Sequence, residues 1–537
     1  MSQKSLPATG PLVAHHHGGS GIAAGMFFSF LMLSSVLPTS LKAAIFYVDP
    51  DWAGSATGAA ASPWASFSSS AWTTINNTLL NDDVTVYVAA LKSDGTQQSR
   101  AWFLELQRSV ANSHRLTIDG YSYWNTNKSA PSWQANGQNI SVAYTNSRVF
   151  KLTGDGWDAL GWTRASTYKK QDNVTLRGFE CAGGARVAFA GDHVILEYIS
   201  VHDTIVDPAV RILYTFNDSG VTNASQQLFP RCTDMTIRHC RVENVAGEAI
   251  YVGSVNPDLP PDIQQQIGNQ HSNITIEDVF IRNPGTGSGQ GDGIDCKPGT
   301  LNLTVRDCDI SGVKGVGGIL CPLTMVNTNQ NILIERCFVH DSAATGEERI
   351  GIRATGAAYP YYGIVGVTIR NCIVARHNRG LEVSGYDGVM TNAWIYNNTV
   401  YGCASQGLIV ASVFQAEIRN NLVWNNNALN DQVILYPKSG AQLSSDYNAI
   451  YPWLNYASEG TNSVALSATD ASTLVIDVNR NNFTPTSTSK VRGRGLALAN
   501  FNNDFLRTIR PSIGWDIGAI QAAGRPNPPT NLRVLTN

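Results

Sequence analysis

Within the ten residues GDGIDCKPGT, Gly291–Thr300, two carboxylates and one amine fall close together: Asp292, Asp295 and Lys297. Grouped carboxylates are hard oxygen ligands of the kind that Ca²⁺ takes. An amine near a bound cation and partly desolvated loses proton affinity and can serve as a base. Together these groups can remove a weakly acidic proton and steady the negative charge that develops. Whether they meet depends on which way each side chain points, and so on the elements that carry them.

Those elements repeat. One phrase recurs as VTLRGF at Val174, VILEYI at Val194, MTIRHC at Met235, ITIEDV at Ile274 and LTVRDC at Leu303. It returns as ILIERC at Ile332, VTIRNC at Val367, AWIYNN at Ala393 and AEIRNN at Ala416. Alternation within each phrase makes it a β-strand with its apolar side inward. A second phrase follows at variable distance: EAIYVG, DGIDCK, GGILCP, IGIRAT, RGLEVS and QGLIVA. Constant strands with variable spacing mean coils of fixed cross-section that carry loops of different length, each burying its inner face on its neighbours. The expected fold is all-β, a right-handed, single-stranded parallel β-helix. Helical patterns between strands, which a doubly wound fold or a TIM barrel would need, are missing.

The nine cysteines fit this frame better than a disulfide framework. Cys240, Cys308, Cys337 and Cys372 hold the sixth position of their phrases, where later coils carry Asn398 and Asn421. They should stack as buried thiols at the strand spacing of about 4.8 Å. Cys296 and Cys321 should form a second inward column with Val252, Ala354, Val383 and Val410. The lack of CxxC or Cys-His spacing argues against zinc or thiol chemistry.

Four segments follow. Residues 1–44 read as an export signal, with the apolar run Gly21–Leu37 behind Lys4 and broken by Pro38; a retained anchor is the alternative. Residues 45–172 should form an N-terminal cap and first coils, with a helix near Ala71–Leu80. The solenoid should span 173–521 and end in a strand over Gly514–Gln521, before a Pro-rich tail over 522–537. With 38 Lys+Arg against 41 Asp+Glu, no basic excess points to nucleic acid. The mature chain is expected to be soluble and monomeric.

Aligning the second phrases gives three columns facing outward or lying at the strand edge. One reads Glu248, Asp292, Gly317, Ile350, Arg379, Gln406; the next Tyr251, Asp295, Leu320, Arg353, Glu382, Ile409; the third Gly253, Lys297, Pro322, Thr355, Ser384, Ala411. Glu248 and Asp292 would stack roughly 5 Å apart with Asp295 nearby, a repulsion that a divalent cation relieves. The bland alternative is three solvated carboxylates, with Asp295 pairing weakly with Lys297. Arg353 lies two coils above Asp295. Tyr359, Tyr361 and Tyr362 follow it and suit stacking on sugar faces, with Arg379 and Glu382 as further substrate contacts. The insertion Asn256–Gln270 suits a wall of the same groove.

These columns resemble exported β-helix polysaccharide lyases over roughly Ile45–Gln521. The spacing from Asp292 to Lys297 is similar to the Glu-to-Lys motif of the alginate lyase and chondroitinase B family. The Asp-Gly-apolar-Asp frame of Asp292 and Asp295 looks like the Ca²⁺ cluster of pectate lyases that use a lysine base. The resemblance implies Lys297 as base, Arg353 as its assistant, Ca²⁺ on Glu248, Asp292 and Asp295, and an acidic polysaccharide as partner. The asparagine and serine that flank the family's lysine are Cys296 and Pro298 here. Competing readings are a glycoside hydrolase using Glu248/Asp292 or Asp295/Glu382, and a non-catalytic glycan-binding solenoid. His202 and His340, in matching V-H-D turns, and His377 are alternative bases, with a turn role favoured.

Overall fold

A computed structural model describes residues 43–523 except 101–103, 111, 121–133, 136–139, 142–148, 155–157, 162–170, 206, 213–231, 254–270, 288–289, 297–299, 324–329, 343–348, 357–364, 386–389, 427–432, 437–440 and 454–458. The proposed signal and most of the Pro-rich tail therefore lie outside the described residues.

Each recurring phrase is a strand, and every strand pairs in parallel with its counterpart one coil away. Met235 aligns with Ile274, Ile274 with Leu303, Leu303 with Ile332, Ile332 with Val367, Val367 with Ala393 and Ala393 with Ala416. A short strand follows in the same coil, as in Asp309–Ser311 and Phe338–His340. Both rows belong to a sheet of 24 strands. The second phrases build the remaining side, a sheet of 11 strands. The parallel β-helix expected from the repeat is the observed architecture.

The corner between the two rows has a fixed conformation and is mostly filled by Asn or Asp, with His239 and Arg336 in two coils. Asp278, Asp307, Asn371, Asn397 and Asn420 all occupy it with φ between 52° and 58°, a left-handed conformation that Asn and Asp tolerate better than branched residues. The residue after the corner turns inward. There Cys308, Cys337 and Cys372 stack fully buried, and each thiol donates to a carbonyl of the preceding coil, Cys337 to Val305 O at 3.7 Å. The column then changes to amides: Asn398 Nδ2 donates to Asn421 Oδ1 at 3.0 Å, and Asn421 Nδ2 to Asn448 Oδ1 at 3.0 Å. A thiol here donates weakly to a backbone carbonyl, whereas an amide also accepts a backbone N–H, as Asn398 does from Cys372 at 2.9 Å. All eight described cysteines are buried and free.

The first coils start earlier than the repeat. Ala44–Val48 pairs with Val84–Val88, which pairs with Leu116–Asp119, which pairs with the strand opening at Val174. A helix over Ser69–Thr78 closes this end, capped by Ser68, which accepts from the Ala71 amide. Trp72 and Ile75 join the same core cluster as Val84 and Leu116, so the helix seals apolar surface that has no further coil to cover it.

At the other end, one expectation is corrected. Gly514–Gln521 is not a strand. It runs as an irregular segment over the 24-stranded sheet, where the Gly518 amide donates to Asn420 O and the Ala519 amide to Thr399 Oγ1. Arg510 holds it, donating to the carbonyls of Gly518 and Ala519 at 2.9 and 3.0 Å. Side-chain partners thus replace a sheet ladder for these backbone groups.

Candidate active site

The site grows from the 11-stranded sheet. Strand Ile250–Val252 pairs with Ile294–Cys296 in the register Ile250–Ile294, Tyr251–Asp295, Val252–Cys296. Ile294 and Cys296 enter the core, so Asp295 faces away from it. Glu248 and Asp292 each sit two residues before the paired isoleucines, side by side at the entries of their strands.

The three carboxylates meet. One ligand oxygen from each of Glu248, Asp292 and Asp295 lies within 4.8 Å of the others. They are not solvated: Glu248 is 5 % exposed, and Asp292 and Asp295 are 1 % exposed. The reading of solvated turn carboxylates is therefore corrected.

Glycines make the space. Asp292 Oδ1 accepts the Gly317 amide at 2.9 Å, and a Cβ on Gly315 would fall 2.2 Å from that same oxygen. A Cβ on Gly293, between the two aspartates, would fall 2.4 Å from the Gly318 carbonyl. Only glycine lets the neighbouring coil come this close. Asp207, one coil below, accepts the Glu248 amide at 3.0 Å and fixes that strand entry.

The column through Asp295 continues as the alignment gave it: Tyr251, Asp295, Leu320, Arg353, Glu382, Ile409. Arg353 and Arg379 converge on Glu382, with N···O separations of 3.7 and 3.6 Å. Ser384 Oγ donates to the same carboxylate at 3.0 Å. Arg353, Arg379 and Glu382 are thus one cluster, two to three strands from the carboxylate triad. Asp295 and Glu382 stand three strands apart, roughly 14 Å, which is beyond the spacing of a hydrolase pair. Lys297, Tyr359, Tyr361, Tyr362 and the Asn256–Gln270 insertion lie outside the described residues.

Sequence reasoning missed Arg211. It pairs with Tyr251 in the same column, its guanidinium 5.6 Å from the tyrosine ring. Its strand, Val210–Ile212, is entered through Asp-Pro-Ala rather than through the glycine that precedes most of the later second phrases. The signal was there in the run DPAVRI, whose Val210 aligns with Ile250 and Ile294.

The three histidines have other work. His202 Nε2 lies 2.8 Å from Glu180 and its Nδ1 2.9 Å from Asp203; His340 repeats this with Asp309 at 3.1 Å and Asp341 at 2.6 Å. The hydrogen bond to Glu180 raises the His202 pKa, against the effect of burial. For His340, burial favours the neutral ring, but Asp309 and Asp341 outweigh it and the pKa rises. Glu180, which burial alone would keep protonated, is brought down to about 2 by His202, Lys151 and Gln97. His377 goes the other way: burial, then the charge of His340, lowers it to about 3. A ring held between two carboxylates and a fully buried ring are poor candidates for a base that must reach a substrate.

No family model matches the chain, and no curated protein matches it. Among solved structures it resembles a pectate lyase at 13% identity, covering 90% of this chain and 98% of that one with a TM-score of 0.36. It also resembles a protein named XylC, solved with xylose, at 10% identity over 90% and 99% of the two chains, with a TM-score of 0.41. A rhamnogalacturonan lyase matches at 13% identity over 83% and 96%, with a TM-score of 0.34. Likeness at these scores carries no argument; the fold rests on the parallel register itself, and any reaction on the residues.

Proposed function

We propose that this chain is an exported polysaccharide lyase that breaks an acidic, uronate-containing glycan by β-elimination. The observation that carries the reading is the convergence of Glu248, Asp292 and Asp295, buried and within 4.8 Å of one another, in the same column system as Arg353. That separation is about twice the Ca–O distance of 2.3–2.6 Å, and three carboxylate oxygens are the donor type Ca²⁺ prefers. The three residues would hold the ion. When bound, it neutralises a substrate carboxylate and so makes the neighbouring C–H more acidic.

The remaining steps belong to the chain. Lys297, two residues after Asp295, is assigned as the base: its amine takes the proton from the carbon beside the carboxylate. The C–H electron pair becomes the new double bond, the glycosidic C–O bond on the next carbon breaks, and the leaving oxygen takes a proton from water. Arg353 binds the acid group or the charge developing on it, and Glu382, braced by Arg379 and Ser384, orients that guanidinium. Tyr359, Tyr361 and Tyr362 are the proposed platform for adjoining sugars.

Incubation with alginate, pectate, chondroitin and ulvan tests the reading. Elimination yields an ultraviolet-absorbing unsaturated uronate, and Lys297→Arg should remove nearly all of it because guanidinium stays protonated. Reducing ends without that chromophore would make the chain a hydrolase. No product from any of the four would sink the lyase reading.

A further inference from the structure

We propose that a cleft on the 24-stranded sheet is a second glycan site, and that it takes an uncharged oligosaccharide. It encloses about 420 Å³ and runs across four successive coils, within the size range of small-molecule sites. Its floor is one register row of outward residues, Thr304, Leu333, Thr368 and Trp394. One rim is an amide ladder in which Asn331 donates to Asn302 Oδ1 at 3.2 Å and Asn302 to Asn273 Oδ1 at 2.9 Å. The facing wall is Asn500 and Phe501 of the C-terminal segment.

Three features select the ligand. Trp394 and Phe501 offer ring surface suited to the C–H face of a sugar. Amides of Asn302, Asn331 and Asn500 and hydroxyls of Thr304 and Thr368 offer donors and acceptors suited to sugar hydroxyls. The charge is already balanced: Arg370, the one charged residue of the lining, gives two hydrogen bonds to Glu335 at 2.8 and 2.6 Å and lies over the Phe501 ring at 4.7 Å. In the same row, on the far side of Glu335, Arg306 is paired with Glu277. A uronate would meet no uncommitted cation in this lining, whereas an uncharged ring would lose nothing. The coil rise of about 4.8 Å also matches the length of one pyranose unit, so successive coils can meet successive sugars, the amides of Asn302 and Asn331 at one end and Trp394 at the other.

This site is separate from the carboxylate triad on the other sheet, and its test does not depend on catalysis. Titration calorimetry of the full chain would use cellohexaose and mannohexaose as neutral probes and hexagalacturonate as the acidic one. At least one neutral probe should bind with Kd at or below ~1 mM. Trp394→Ala should weaken it at least ~10-fold by removing the stacking face. Because Trp394 also packs against Tyr396 and Phe501, Thr368→Trp serves as the second variant: it fills the cleft from an outward position and should give the same loss. Asp292→Asn should leave neutral binding unchanged. Absence of neutral binding, neutral affinity equal in wild type and both cleft variants, or loss through Asp292→Asn would each overturn the proposal.

Discussion

On the 24-stranded sheet, Glu180 and Asp309 each hand a buried carboxylate to the histidine of the next coil, whereas on the 11-stranded sheet Glu248, Asp292 and Asp295 turn their oxygens toward one another. Both arrangements come from the same geometry, a side chain repeated at the coil spacing. In the first, each carboxylate meets a histidine of the next coil, and the chain supplies its own partner. In the second, like charges are gathered and buried, which a fold has no structural reason to do. The first pattern is what stacking needs to be stable; the second is what a cation needs to be held. The two clusters should therefore fail differently when damaged.

The largest expected effect is on stability, at the self-balanced cluster. His340→Ala leaves Asp309, 2 % exposed, and Asp341 without the ring that bridges them. Removing one partner of such a buried pair costs about 3–5 kcal/mol, read as a shift in the denaturant midpoint. A loss under about 1 kcal/mol would show that the bridge behaves as a surface pair and would dissolve the contrast.

Turnover should move next, and only at the gathered cluster. Asp295→Asn keeps shape and removes charge, and should lower formation of the unsaturated product by at least ~10²-fold, or about 2.7 kcal/mol. Asp309→Asn, its counterpart on the other sheet, should leave turnover within about twofold while lowering stability. Equal effects of the two on turnover would mean that the triad has no catalytic privilege.

Metal response is the third distinction. At tenfold Kd a bound ion stabilises by about 1.4 kcal/mol, so Ca²⁺ should raise Tm and a chelator should lower it. Asp292→Asn should abolish that response, and His340→Ala should retain it on a lower baseline. A Tm indifferent to both additions would remove Ca²⁺ from Glu248, Asp292 and Asp295.

The sequence shows the columns because a strand has period two and a solenoid repeats it without drift. Asp295 opposite Tyr251 and Leu320, and Arg353 opposite Glu382, follow from alignment alone. Burial does not follow. Outward parity says only that a side chain leaves the core, and Asp295 is outward and yet 1 % exposed. The histidine bridges were hidden for a related reason. V-H-D marks a turn, and Asp203 and Asp341 do take the turn with φ of 50° and 53°. Glu180 and Asp309, however, come from the preceding coil, and no local motif announces them. The irregular run over Gly514–Gln521 was misread as a strand because its alternation is real. What replaces the ladder, Arg510 and Thr399, lies outside the phrase.

The smallest effect, and the sharpest sign test, is pH. His340 is faced by Asp309 and by Asp341, which Arg376 also pairs, and its ring stacks on Phe338; His202 is faced by Glu180, with Lys151, and by Asp203. Both histidines have folded pKa values raised above the ordinary 6.5. Their contribution is therefore complete below about pH 6.5 and is lost as pH rises through the raised folded value. His377 acts in the opposite sense: lowered to about 3 by burial, it favours the fold above pH 6.5 and opposes it as pH falls. On the acid side, Glu180, lowered to about 2, contributes above its ordinary 4.5 and loses that as pH falls toward 2. The wild-type curve alone mixes these slopes. The difference between wild type and the double variant His202→Gln, His340→Gln isolates the bridges: it should be largest near pH 6 and shrink steadily above pH 7. A difference that stayed constant with pH, or grew on the alkaline side, would mean that neutral rings make these contacts, and that the two sheets do not differ in where their counter-charges come from.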